Sequence, residues 1–119
     1  MARNVLIVDD ASFIRVILKG MLQAQGFVVV GEAANGVDAV VLYRQLRPDL
    51  VIMDITMPEM DGIEAILHIK QYHGQAKIIV CSVLGYQDVI SRSIKAGALD
   101  YVVKPIKEDR LFAAIQKIL

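Results

Sequence analysis

The chain has 119 residues, of which 55% are hydrophobic and 22% charged, with Lys+Arg and Asp+Glu equal at 13 each. A single domain of this size buries roughly two-thirds of its unfolded surface, and the composition supports a packed core rather than a disordered chain. The even charge balance leaves no basic excess to track a phosphate backbone, so direct nucleic-acid binding is not expected.

Five short apolar runs alternate with longer amphipathic stretches. The first, Asn4–Val8, enters the pair Asp9-Asp10. Next, Ile14, Ile17, Leu18, Met21 and Leu22 recur at i, i+3, i+4, i+7 and i+8, which predicts a helix with one buried stripe. Gly26 stands where its C-terminal cap is expected. The second run, Val28–Ala33, precedes a predicted helix over Gly36 to Leu46. That helix must stop before Pro48, whose ring disfavours helical geometry in the residue before it.

The third run, Leu50–Met53, enters Asp54, and a helix is predicted over roughly Gly62 to Tyr72. The fourth, Lys77–Ser82, ends in a hydroxyl and precedes a helix over roughly Gln87 to Ala96, with Gly97 as its stop. The fifth, Asp100–Val103, enters Lys104-Pro105, and the last helix shows its stripe at Leu111, Ala114, Ile115 and Ile118. The runs are rich in Val and Ile on both faces, as in strands covered by helices on each side.

Strict alternation of strand and helix implies right-handed crossovers and a parallel sheet. Five strands are too few for an eight-fold barrel, so a three-layer sandwich is predicted, with ligands at the carboxyl ends of the strands. No apolar run approaches the roughly 20 residues of a membrane span, and the N-terminus lacks the hydrophobic stretch of a secretory signal. The lone cysteine, Cys81, has no internal disulfide partner and reads as a small core residue, which points to the cytoplasm.

If the strands are parallel neighbours, Asp9, Asp10, Asp54 and Lys104 converge at one sheet edge. Three such carboxylates repel one another and raise one another's pKa unless a cation joins them. The expected cation is a hard, oxygen-seeking one such as Mg²⁺, with Lys104 as a second positive partner. Asp10 has an alternative role as a cap for the first helix. Asp54 has no such alternative, because no helix begins for about eight residues after it. Pro105 is a candidate for a cis peptide bond, a state that about 5–6% of X-Pro bonds adopt in folded proteins. His68 and His73 are expected on the surface, with no role as ligands or relays.

Five markers in order carry a resemblance. They are Val-Asp-Asp at 8–10, Met-Asp-Ile-Thr-Met-Pro-Glu-Met-Asp-Gly at 53–62, Cys-Ser at 81–82, Ala-Gly-Ala at 96–98 and Val-Lys-Pro at 103–105. The whole chain resembles a response-regulator receiver domain of two-component signalling. The start of the first helix, Ala11-Ser12-Phe13-Ile14-Arg15, is most similar to the stand-alone regulators of the chemotaxis subgroup.

The resemblance implies a flavodoxin-like (βα)5 fold with strand order 2-1-3-4-5. It also implies that Asp54 accepts a phosphoryl group from a phosphohistidine of a sensor histidine kinase. Asp10 would bind Mg²⁺ directly, Asp9 mainly through water, and Asp54 and the Thr56 backbone carbonyl would complete the protein ligands; Mn²⁺ would substitute. Ser82 and Lys104 would hold the phosphoryl oxygens. Tyr101 would swing inward with Ser82 as the switch, and the output face would include Ile90, Ala98, Tyr101 and Lys107.

In the family, Thr56 and Leu84 tune the lifetime of the phosphate. An apolar Leu84 cannot orient an attacking water. The protein is then not an enzyme in the usual sense, since it catalyses only its own phosphorylation and slow dephosphorylation. Its partners would be the kinase and a downstream protein, the flagellar motor switch or another effector, met by a monomer or a transient phosphorylated dimer.

Other readings remain open. The chain ends with the last helix at Leu119, which suits a stand-alone protein or a receiver cut from a longer regulator with a DNA-binding or enzymatic output domain. A flavin-binding flavodoxin-like module would need a phosphate loop after the first strand, where Asp9-Asp10 would repel a phosphate. A small aspartate-dependent phosphatase would need substrate-capping elements that this length does not hold.

Overall fold

A computed structural model describes residues 3–119. Its ten elements are β1 (Asn4–Val8), α1 (Ser12–Ala24), β2 (Val28–Ala33), α2 (Gly36–Leu46), β3 (Leu50–Met53), α3 (Gly62–Tyr72), β4 (Ile78–Ser82), α4 (Gln87–Ala96), β5 (Asp100–Val103) and α5 (Glu108–Ile118). All four strand pairings are parallel, and the order is β2-β1-β3-β4-β5. The fold is the flavodoxin-like α/β sandwich expected. The fourth strand starts one residue later than predicted, at Ile78 rather than Lys77.

Strand alternation divides the core into two layers. Val5 and Ile7 of β1, Leu50 and Ile52 of β3, Ile79 and Cys81 of β4 and Val102 of β5 face α1 and α5, where Leu18, Leu22, Leu111, Ala114 and Ile115 close the layer. Leu6, Val8, Val51, Met53, Ile78, Val80 and Tyr101 face the other way, toward α2, α3 and α4. Cys81 is a core residue, and burial pushes its thiol up to about 12, which keeps it protonated and unreactive. Among the described residues, no helix is long and apolar enough to cross a membrane.

The predicted stripe of α1 is only partly buried. Leu18 and Leu22 lie in the core and Ile14 and Met21 pack at its margin, while Ile17 is 47% exposed. The stripe is wider than the contact, because α1 packs on β1 and β2 chiefly through Leu18 and Leu22. Asp10 does not cap α1: the N-cap position is Ala11, with no side-chain cap bond. Asp9 instead accepts a hydrogen bond from the Ala11 N–H at 3.0 Å. Gly26, with φ +87°, follows the helix end in the left-handed conformation that glycine adopts at least cost.

Candidate functional site

The strand order reverses between β1 and β3, and the register there pairs Val8 with Met53. The next residues, Asp9 and Asp54, therefore emerge side by side. Backbone bonds hold both: Asp9 N–H donates to the Ala33 carbonyl at 3.0 Å and Asp54 N–H to the Val8 carbonyl at 2.9 Å. At the other side of the site, Ser82 pairs with Val103 and the Lys104 N–H donates to the Ser82 carbonyl at 2.8 Å. The Lys104-Pro105 peptide bond is cis.

Asp9, Asp10 and Asp54 each present a carboxylate oxygen within 4.8 Å of the others. Asp9 and Asp54 are buried and Asp10 is exposed. Lys104 Nζ lies 2.6 Å from Asp9 Oδ2 and 3.5 Å from Asp54 Oδ2, so its tighter partner is Asp9. Burial works against the charge on Lys104, but the hydrogen bond to Asp9 and the charge of Asp54 outweigh it and raise its pKa.

Asp54 is 6% exposed, and its carboxyl is raised from 3.8 to about 6. Burial is the main cause; Lys104 opposes it, and the like charges of Asp9 and Asp10 add to it, with the Ile55 N–H opposing in turn. The mutual repulsion expected from the sequence is thus present but secondary to desolvation. Asp54 Oδ1 accepts from the Ile55 N–H at 2.8 Å, which turns the other oxygen toward Lys104 and the cluster.

Hard oxygen donors grouped this closely fit a small divalent cation. Asp9 has its two oxygens engaged with Ala11 N–H and Lys104, whereas Asp10 stands open to solvent. The cluster of three carboxylates therefore fits a divalent cation as a group. Thr56 is exposed on the same loop, two residues after Asp54.

That loop is pinned by close packing. Gly62 N–H donates to the Ile55 carbonyl at 2.8 Å, and a Cβ on Gly62 would meet the Asp54 carbonyl at 2.0 Å. Only glycine allows α3 to begin so near the acidic residue.

Ser82 is buried, and its Oγ accepts from the Leu84 N–H at 3.2 Å. Tyr101 lies inward, and its hydroxyl donates to the Leu84 carbonyl. Both residues of the expected switch therefore hold the two sides of one residue, Leu84.

Several expected positions differ. Ala98 is buried and contributes to the core, not to a surface. Ile90 packs against the core, while Ile94 is 44% exposed. Lys107, by contrast, is exposed at the start of α5, where an output-face residue was expected. His73 is half-buried, not a free surface residue, because its Nδ1 is hydrogen-bonded to the hydroxyl of the buried Tyr43 at 2.8 Å. Sequence reasoning also passed over Arg15, whose Nη1 donates to the Asp9 carbonyl at 2.6 Å. Its only signal was its place one turn after the acidic pair.

An open parallel sandwich with carboxylates and a lysine at the switch point defines a class, and the comparisons agree. The response regulator receiver domain family matches residues 5–116, and the chain belongs to it. The chain is 54% identical over 119 residues to the chemotaxis protein CheY of Bacillus subtilis (strain 168), covering 100% of this chain and 99% of that one. It is 51% identical over 118 residues to the chemotaxis protein CheY of Thermotoga maritima, covering 99% and 98% of the two chains. Among solved structures, it superposes with a TM-score of 0.95 on a chain of the CheX-CheY-BeF3-Mg complex of Borrelia burgdorferi, at 33% identity over 98% of this chain and 88% of that chain. The chain is a CheY-like receiver domain of a two-component system, a class that works with a histidine kinase and an effector.

Proposed function

We propose that the protein is a phosphorylation-driven switch in which Asp54 accepts a phosphoryl group from a kinase phosphohistidine. The buried Asp54 carboxylate, which faces Lys104 and clusters with those of Asp9 and Asp10, carries this reading. As its carboxylate oxygen bonds to phosphorus, the phosphorus–nitrogen bond to the kinase histidine breaks and its electron pair returns to that nitrogen, so a histidine already protonated at its other ring nitrogen leaves as neutral imidazole. Once ionised, Asp54 needs no general base, and a carboxylate is a sufficient nucleophile here. Catalysis of such a transfer is largely positioning and charge neutralisation.

Asp10, Asp54 and the Thr56 carbonyl would hold Mg²⁺, or Mn²⁺ in its place, with Asp9 acting through water. When bound, the cation neutralises charge on the phosphoryl oxygens. Lys104 lies within reach of both Asp9 and Asp54 and would exchange part of its pairing with Asp9 for the new phosphate.

The aspartyl phosphate adds about −1.5 to −2 charge and three strong acceptors beside a buried hydroxyl. Ser82 would turn toward it and give up the Leu84 N–H, while Tyr101 holds the Leu84 carbonyl. The loop before α4 is therefore the bistable element that the modification biases. The output face would be built from α4, β5 and α5, with Ile94, Leu99 and Val103 as its exposed apolar groups.

The sequence similarity to chemotaxis proteins along nearly their whole length supports a role in chemotaxis, with a flagellar motor switch or a comparable protein as the effector. A monomeric cytoplasmic protein, catalysing only its own phosphorylation and slow dephosphorylation, fits this role.

The test is incubation with Mg²⁺ and acetyl phosphate, followed by location of the adduct by mass spectrometry. The adduct is expected on Asp54 and absent from Asp54→Ala. An undiminished adduct in that variant would sink the assignment.

A further inference from the structure

Arg15 leaves α1 one turn after Asp9-Asp10 and points back toward the helix N-terminus, as helical side chains do. Its guanidinium makes two directed contacts. Nη1 donates to the Asp9 backbone carbonyl at 2.6 Å, and Nε donates to Glu32 Oε1 on β2 at 3.1 Å. Lys19 lies 3.8 Å from the other Glu32 oxygen and steadies the same carboxylate.

The Asp9 carbonyl shares one rigid peptide plane with the Asp10 N–H. Holding its oxygen therefore sets the plane from which Asp10 departs. The rest of Asp9 is tied as well, through its N–H to Ala33 and its carboxylate to Ala11 and Lys104. Asp10 is exposed, so its direction comes chiefly from this backbone.

We propose that Arg15, steadied by Glu32, is a positioning residue that fixes the Asp9–Asp10 peptide and thereby presents Asp10 to the divalent cation. The inference rests on the cation-site reading above. Simple charge makes the opposite prediction. Arg15 is a cation close to an acidic cluster, so removing its charge alone would tighten Mg²⁺ binding. The sign of the change separates positioning from electrostatics.

The experiment titrates the whole chain with magnesium chloride by isothermal calorimetry and follows the Asp10 and Asp54 amides by NMR. Wild type, R15Q, R15K, E32Q and the R15Q/E32Q double variant are compared, with thermal midpoints recorded alongside. Losing an outer support of a metal ligand typically weakens affinity by 10–100-fold, so R15Q is expected to weaken Mg²⁺ about ten-fold. E32Q should weaken it less, and the double variant should be no weaker than R15Q, since both act through one contact.

R15K should recover part of the loss, because a single ammonium can meet the Asp9 carbonyl or Glu32 but not both in the same fork. A role in stability alone would lower the thermal midpoint and leave Mg²⁺ affinity unchanged. Unchanged or tighter binding by folded R15Q overturns the proposal. Should R15Q fail to fold, E32Q decides: weaker binding supports the proposal and unchanged binding overturns it. If wild type itself binds no Mg²⁺, the cation-site reading fails first and the positioning role with it.

Discussion

Replacing Asp54 by asparagine tests the electrostatics of the site most directly. Burial lifts this carboxyl from 3.8 to about 6, so the folded protein keeps a proton there that the unfolded chain has already lost. Stability should therefore fall as pH rises from about 4 to about 6 and stay reduced above that window. At about 1.4 kcal/mol per pH unit, the displacement is worth roughly 3 kcal/mol.

Asparagine has the shape of the protonated carboxyl and carries no charge at any pH. Asp54→Asn is thus expected to be about 3 kcal/mol more stable than wild type at pH 7 in EDTA, and nearly equal to it at pH 4. The variant gives up the 3.5 Å contact with Lys104, but Lys104 keeps its shorter 2.6 Å pair with Asp9. With a urea slope of about 1.5 kcal/mol/M, the midpoint at pH 7 should rise by about 2 M. Added Mg²⁺ should narrow the gap, since it stabilises the folded state that binds it. A gap that ignores pH, or a variant less stable at pH 7, would refute burial as the cause.

Lys104→Met leaves Asp9 and Asp54 buried with no lysine between them. It should lower stability at pH 7 by about 1–3 kcal/mol and move the Asp54 titration above 6, with the loss shrinking toward pH 4 as Asp54 protonates. Urea unfolding and carboxyl-carbon NMR would check both; an Asp54 titration that moves down would contradict the pairing. Leu84→Glu supplies a group that can orient an attacking water, so the phosphorylated variant should decay faster than wild type, and equal lifetimes would remove the argument. On α4, Ile94→Ser should weaken effector binding with little loss of fold, whereas Ile90→Ala should cost about 2 kcal/mol of stability by opening a gap at the core margin. The reverse pattern in pull-down and unfolding measurements would show that α4 presents the other face.

The strand ends were legible because each charged residue interrupts a Val- and Ile-rich run at a definite point: Asp9 after Val8, Asp54 after Met53 and Lys104 after Val103. Helix faces were less legible. Ile14, Ile17 and Leu18 share one periodic stripe, yet only Leu18 is fully covered, because the rotation of a helix is set by the neighbours it meets. Ile90 and Ile94 pose the same problem four residues apart, and the packing of α4 puts the first inside and the second outside. Nothing local marks Ala98 as buried or His73 as tied to Tyr43, since their partners come from other elements.

By itself, then, the sequence determined the alternation of elements, the parallel sheet they imply and the residue types gathered at its carboxyl edge. These follow from short-range periodicity and from where an apolar run must stop. The tertiary structure decided how the charges are shared. The pairing of Val8 with Met53 sets Asp9 beside Asp54, and the position of β5 gives Lys104 to Asp9 more closely than to Asp54. Burial, more than repulsion, raises the Asp54 pKa, and Arg15 ties the acidic loop to β2. Coulomb and desolvation energies depend on separations of a few ångströms between groups far apart in the chain, and only the folded arrangement supplies those separations.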